Sequence, residues 1–468
     1  MTRVLVSAAS MSTGKTTLAA GIGAALVERG LTVQAFKKGP DYIDPMWLTA
    51  ATGRPCFNLD YHTMSTAEIR ASFAHHTDGA NIAMIEGNMG LFDGVDLAGA
   101  DSNAALAALL KTPVVLVLDA TGMTRGVAPL IRGYQAFDST ISITGVILNK
   151  VGGDRHESKL RRTIERYTDM AVIGAVHRQP ALEISERHLG LITSNEATDA
   201  EAKIAGIAKV VSDQVDLDRV LDIAASAPPM APPPRTTTAT PRAPDLRIAI
   251  ARDSAFGFYY ADDLGALRSA GAELLPFDTT ADARLPEADG LFIGGGFPEC
   301  HLAALEANAA LRGEIRAAIE GGMPAYAECG GLAYLSRSLS WRGETGEMVG
   351  VVPADTVVHE RPQGRGYTRL RETGAGLWPA HDNKGGLAEI AAHEFHYASL
   401  DTITGAPVYA YEMLRGVGID GHNDGIVYKN LLAGFAHRRD VAADRWARRF
   451  VEFVRRCKTS SGCTEPRR

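Results

Sequence analysis

The first seventeen residues constrain this chain more than any other stretch. The apolar run Val4-Leu5-Val6 leads into Ser7-Ala8-Ala9-Ser10-Met11-Ser12-Thr13-Gly14-Lys15-Thr16-Thr17, and residues 18–29 continue with helical character. A strand feeding a loop that ends Gly-Lys-Thr turns successive backbone N–H groups toward a polyphosphate and sets the anion at a helix N-terminus. In such a loop Lys15 serves the outer phosphates and the Thr16 hydroxyl serves Mg²⁺, with Thr13, Gly14 and Thr17 as further nucleotide contacts. Ala9 stands where the pattern G-x-x-x-x-G-K-[ST] has its first glycine, so the flanking strand and helix carry the assignment. An ordinary strand-to-helix turn would leave the lysine unexplained.

A length of 468 residues predicts two or three domains. Residues 227–245 divide them: the stretch 227–244 contains seven prolines, four threonines and, apart from Met230, no large apolar residue, and it reads as an extended linker. Before it, β-branched runs at 33–36, 82–85, 114–118, 143–148 and 172–176 alternate with amphipathic stretches, the pattern of a parallel sheet covered by helices. After it the alternation restarts at 246–251, 273–275, 290–293 and 324–327, which predicts a second α/β domain over 246–457 and a polar tail over 458–468.

The net charge of −7 gives no general attraction for nucleic acid or anionic lipid, so anionic ligands must be held by local positive groups. No run approaches membrane-spanning length, and Met1-Thr2-Arg3 passes straight into a strand, so the expectation is a cytoplasmic protein. The five cysteines are scattered and lack C-x-x-C spacing, which suggests neither a disulfide framework nor a zinc site.

Two glycine-punctuated acidic loops follow early strands: Lys37-Lys38-Gly39-Pro40-Asp41-Tyr42-Ile43-Asp44-Pro45 and Glu86-Gly87-Asn88-Met89-Gly90-Leu91-Phe92-Asp93-Gly94. Loops at strand C-termini line the ligand crevice of an open parallel sheet. Mg²⁺ takes hard oxygen ligands, so Thr16, Asp41 and Glu86 form a sensible set, against the alternative of a turn or helix cap for each aspartate. Lys37 and Lys38 would neutralise a phosphoryl group, hold a substrate carboxylate, or remain a solvated pair.

These two loops, with Ser185-Glu186-Arg187-His188-Leu189-Gly190-Leu191, resemble the cobyrinic or hydrogenobyrinic acid a,c-diamide synthases, in which a dethiobiotin-synthetase-like ATP-binding domain is fused to a glutamine amidotransferase domain. The resemblance covers nearly the whole chain outside the linker and tail. It implies a phosphate-loop parallel-sheet domain over 1–226, followed by a class I glutamine amidotransferase-like α/β domain. It further implies Asp41 and Glu86 at the Mg²⁺ site, and Ile43, Asp44 and Asp93 toward the substrate carboxylate; Lys38 and Tyr42, on the same loop, are further substrate candidates. Asn149 falls near the adenine.

In the second domain, Ala325-Tyr326-Ala327-Glu328-Cys329-Gly330-Gly331-Leu332 reads as a strand, a cysteine at a tight turn and a helix start, the logic of a nucleophile elbow. His437, after Leu432-Ala433-Gly434-Phe435-Ala436, is the candidate base. Triad amidotransferases usually have glutamate two residues after this histidine, whereas Arg439 stands here, and the resemblance to the diamide synthases implies a Cys-His pair. Gly295 and Gly296, on a glycine turn, and Gly330 are candidates for stabilising an oxyanion. His393 and His396 flank Glu394 without the zinc pattern and read as structural.

The function implied is an ATP-dependent, L-glutamine-dependent amidation of the a- and c-acetate carboxylates of a corrin through acyl phosphates, with ammonia sheltered between two sites. A sirohaem-type or nickel-sirohydrochlorin ring is the alternative substrate, because Lys38, Asn88 and Asn103 depart from the corrin enzymes' usual residues; cobyric acid synthase is a rival enzyme. A nucleotide-switched binding protein is the alternative of another class, but it has no need of the Cys329 elbow. The oligomeric state, including a homodimer, stays open.

Overall fold

The computed structural model describes residues 1–184, 186–187, 190–196, 199–230, 241–382 and 384–461. The chain divides into two compact units, Met1–Thr236 and Thr237–Arg468. Most of the proline-rich linker, part of the segment 185–191 and residues 462–468 lie outside the described residues.

The first unit is built on a seven-stranded sheet in the order Phe57–Leu59, Val33–Lys38, Ile82–Glu86, Arg3–Ala8, Val114–Asp119, Ile143–Val151, Val172–His177. Every pairing is parallel. Helices cover both faces, so the strands read as near-continuous apolar runs rather than alternating ones. Helix Lys15–Glu28 buries Leu18, Ile22 and Leu26 in one core with Val4, Val6, Val33 and Ala35. The strand Arg3–Ala8 lies between Ile82–Glu86 and Val114–Asp119, so the chain leaves it first to one side and later to the other. The crevice beyond the strand ends at such a switch point is where open α/β sheets bind ligands.

The second unit carries a nine-stranded sheet ordered Ala272–Phe277, Leu246–Ala251, Gly290–Ile293, Ala325–Glu328, Leu431–Gly434, Asn423–Tyr428, Val408–Arg415, Gly364–Glu372, Glu389–His396. The first five strands run parallel, and antiparallel pairings add the other four. The α/β class expected from sequence holds for both units. The antiparallel extension was not anticipated, because Arg365, Arg369 and Arg371 break the apolar pattern of their strand. Two of these arginines pair across strands, Arg369 with Glu389 at 2.6 Å and Arg371 with Glu412 at 3.2 Å.

Two local expectations are corrected. Lys37 and Lys38 are the last residues of a strand rather than the start of a loop, and the terminal helix Trp446–Ser461 runs past Lys458, where the polar tail was expected to begin.

Candidate functional site

The loop after strand Arg3–Ala8 closes on Gly14, whose φ of +85° lies in the left-handed region that favours glycine. A Cβ there would stand 2.4 Å from the Asn149 amide nitrogen. Asn149 Nδ2 donates to Thr13 O at 2.7 Å, and Tyr134 Oη donates to the carbonyl of Ala9 at 2.8 Å. The loop is thus held from outside at two points, one of them the position where the usual pattern has glycine. Lys15 is buried and folds back to Ser10 O at 3.3 Å. Burial, then the neighbouring Lys37 charge, lowers its pKa. Thr17 is half-buried in the first turn of the helix.

Thr16 Oγ1 donates to Glu86 Oε1 at 2.8 Å. The same oxygen accepts from Lys37 Nζ at 3.0 Å, and Lys37 also pairs with Asp44 at 2.5 Å and lies 3.8 Å from Asp41. Parallel register sets Lys37 beside Glu86, which is why the two face each other. Burial alone would lower the Lys37 pKa, but Asp44, Glu86 and Asp41 carry it well above the usual value. Burial pushes Glu86 up to about 7, Lys37 opposing and Asp44 adding to the rise. Asp41, more exposed, moves the same way through burial and Asp44. Asp41 also accepts from Asp44 N at 3.0 Å, the helix-start role weighed for it from sequence.

Among the described residues no group of three or more His, Cys, Asp and Glu is arranged to hold an ion by itself. A phosphate-loop Mg²⁺ does not need one: it takes one or two carboxylates and completes its octahedron with phosphate oxygens and water. Glu86 Oε2 is buried without a hydrogen-bond partner, and two carboxyls here are raised, so the residues fit an incoming cation.

Of the residues proposed for the substrate, Tyr42 is buried before helix Ile43–Thr52, which Ile43 and Asp44 open. Asp93 accepts from Gly90 N at 3.0 Å. Asp44 is engaged by Lys37 rather than turned free into the crevice. Lys38 departs from its neighbour. Strand alternation puts its side chain on the sheet face opposite Lys37, and its strand partner is Leu59. Lys38 is 2% exposed, and no hydrogen bond or ion pair engages its ammonium among the described residues. Burial lowers its pKa against the more distant Asp101 and Asp60.

In the second unit, strand Ala325–Glu328 ends at Cys329 with φ 50° and ψ −105°, a strained elbow before the short helix Gly330–Leu335. The elbow is tolerated because Gly330 and Gly331 leave room: a Cβ on Gly331 would lie 2.3 Å from the carbonyl of Ile293, and one on Gly330 3.0 Å from the Gly296 nitrogen. Gly296 and Gly330 therefore meet at the turn that follows Cys329, and Gly295 abuts the His437 ring, 2.7 Å from a would-be Cβ.

Asp424 accepts from Phe435 N at 3.0 Å and Ala436 N at 2.8 Å, bending the chain after strand Leu431–Gly434 so that His437 reaches the elbow. The Cys329 sulfur lies close enough to the His437 side chain to act on its charge. Burial works against the imidazolium, yet the Cys329 sulfur and then Glu328 raise His437 to about 10.

The comparisons with known proteins follow this division. Residues 5–192 match the CobQ/CobB/MinD/ParA nucleotide binding domain, and residues 247–439 match the CobB/CobQ-like glutamine amidotransferase domain. A cobyrinate a,c-diamide synthase of Magnetococcus marinus is 44% identical, over 97% of this chain and 97% of its own. Those of Methanosarcina acetivorans and Archaeoglobus fulgidus are each 40% identical, over 98% and 96% of this chain and 96% and 97% of theirs. The chain belongs to the cobyrinate a,c-diamide synthase family.

As a member of that family it is a glutamine-hydrolysing carbon–nitrogen ligase whose nucleotide-binding domain uses ATP. Every nucleotide, metal and substrate residue expected of a cobyrinate a,c-diamide synthase here falls within 5–192, and Cys329, His437 and the three glycines fall within 247–439. No helix among the described residues is long and apolar enough to cross a membrane.

Sequence reasoning missed two residues that the structure brings to His437. Glu328 lies 3.3 Å from His437 Nδ1, and the His393 ring stacks on that of His437 with centroids 4.9 Å apart. The acidic signal lies next to Cys329 in the sequence, whereas the usual acidic position is two residues beyond the histidine. Arg439 occupies that place and pairs with Asp262 at 2.7 Å. Cys56 is buried among apolar residues and its thiol is pushed well up by burial, the setting of an inert cysteine.

Proposed function

We propose that this protein converts the a- and c-acetate carboxylates of a corrin, cobyrinate or hydrogenobyrinate, to amides with nitrogen taken from glutamine. The observation that carries the substrate is the likeness at 44% identity over nearly the whole of both chains to a protein named for that reaction. The thiolate of Cys329 attacks the glutamine side-chain amide, forming a C–S bond, while His437 gives its proton to the departing nitrogen. Water then cleaves the thioester to glutamate and restores the thiol. Gly295, Gly296 and Gly330 supply backbone N–H groups to the tetrahedral oxyanion.

In the first unit, Thr13, Gly14, Lys15 and Thr17 hold the ATP phosphates and Asn149 borders the base. A substrate carboxylate oxygen takes the γ-phosphoryl group, and ammonia displaces phosphate from the acyl phosphate to leave the amide. A free carboxylate would have to expel oxide, which is why activation precedes attack. Mg²⁺ held by Thr16, Asp41 and Glu86 would neutralise charge on the phosphoryl oxygens. Lys38, Tyr42, Ile43, Asp44 and Asp93 are the residues proposed for the substrate carboxylates, Lys37 setting the position of Asp44.

Incubation with ATP, glutamine and cobyrinate in competition with a sirohaem-type ring, followed by mass analysis, tests this reading. It predicts a product two amide conversions from the corrin, formed at the far higher kcat/KM. Preferential diamidation of the sirohaem-type ring would overturn the corrin assignment.

A further inference from the structure

We infer that Glu328, the residue immediately before the nucleophile, orients and charges His437, taking the place that Arg439 cannot fill. The inference rests on the reading of Cys329 and His437 as the glutaminase pair, and it names the third group that the pair requires.

The geometry is specific. Tyr326 and Glu328 alternate onto one face of strand Ala325–Glu328, and Tyr326 Oη donates to Glu328 Oε1 at 2.6 Å. The same oxygen accepts from Arg438 N at 3.0 Å, fixing the residue after the histidine. That leaves Glu328 Oε2 for His437 Nδ1 at 3.3 Å, with Glu328 and His437 both almost fully buried. A carboxylate can only accept, so Nδ1 carries the proton and Nε2 is left for sulfur. The histidine is held along its backbone as well: His437 N donates to His393 O at 2.8 Å and His393 N to His437 O at 3.2 Å.

The other groups facing the imidazole do not compete for this role. His393 presents its ring face, stacked within 16° of parallel, and its Nδ1 lies 3.3 Å from Tyr260 Oη. Arg439, the residue at the usual acidic position, lies over the Tyr260 ring and pairs with Asp262. A cation there opposes an imidazolium, and Glu328 places a carboxylate in contact with it. Glu328 is a positioning residue: it touches neither glutamine nor sulfur and acts through the histidine.

The test is Glu328→Gln, which keeps side-chain length and an acceptor for Arg438 N but removes the charge. Glutamine hydrolysis should lose roughly 10²–10⁴-fold in kcat with little change in KM. The pH at which iodoacetamide begins to alkylate Cys329 should move upward, because the thiolate–imidazolium pair loses its supporting charge. A merely structural glutamate would not shift that onset in a variant whose thermal unfolding matches the wild type. An unchanged kcat together with an unchanged alkylation profile overturns the proposal.

A second measurement needs no Glu328 variant. Nitrogen-15 resonances of the wild type, with His437 assigned by loss of its signals in His437→Asn, should show Nδ1 protonated throughout the active pH range. An unprotonated Nδ1 there overturns the proposal. Failure of the underlying reading looks different: Cys329→Ala would then still hydrolyse glutamine at the wild-type rate.

Discussion

Thr16 donates its hydroxyl proton to Glu86 across 2.8 Å, joining the first turn of the phosphate-loop helix to the end of a neighbouring strand. The contact puts the hydroxyl proposed for Mg²⁺ beside a fully buried carboxylate whose second oxygen has no hydrogen-bond partner. Glu86→Gln should therefore slow amidation by at least about 10²-fold, the scale of losing a metal's charge stabilisation. The loss should be the same with glutamine or ammonium as nitrogen source, and Asp41→Ala should follow it. Wild-type rates in both variants would place the metal elsewhere.

Proton linkage gives a second test. A carboxyl raised from 4.5 to about 7 keeps its proton in the folded, unliganded site between those values. Its contribution to stability is therefore full below 4.5 and is lost as pH rises through about 7. A cation favours the ionised form, so Mg²⁺–nucleotide binding in this window should release protons and tighten by up to roughly tenfold per pH unit for each proton released. Calorimetry in buffers of different ionisation enthalpy measures the release; proton uptake would contradict the assignment.

Gly14→Ala should cripple nucleotide binding. The left-handed φ costs a non-glycine residue about 1–2 kcal/mol, and the added Cβ would press on the Asn149 amide that holds Thr13. A rise in the ATP dissociation constant of roughly tenfold or more is expected by equilibrium titration.

Lys38 and Lys37, adjacent in sequence, should separate in function. Lys38→Met removes a buried lysine whose charge is favoured only by Asp101 and Asp60 at longer range. A lost charge-assisted contact of about 1.5–3 kcal/mol corresponds to a rise of roughly 10- to 100-fold in the tetrapyrrole KM. ATP affinity should hold, whereas Lys37→Met should disturb both, since Lys37 binds Asp44 and Glu86 together. Steady-state kinetics at saturating ATP distinguishes the two.

What was legible in the sequence was local. The phosphate loop and the Cys329 elbow each lie within a dozen residues, where turn chemistry and strand-helix succession leave a direct trace. The separation of Lys37 from Lys38 was hidden by reading the strand as ending at Phe36, two residues early, which left both lysines on a loop. Glu328 was hidden for another reason: it meets His437 across 109 positions, and adjacent parallel strands bring them together. Short-range spacing rules hold only while the orienting acid follows the histidine, and here the preceding strand supplies it.

The proposed function divides the labour, with Cys329 making ammonia and the phosphate-loop unit using ATP to consume it. The direct measurement is product formation by Cys329→Ala with glutamine and, separately, with high ammonium, read by mass analysis of the corrin. Loss of diamide with glutamine and its retention with ammonium is the predicted result. A folded variant equally inactive with both nitrogen sources, or fully active with glutamine, would contradict it.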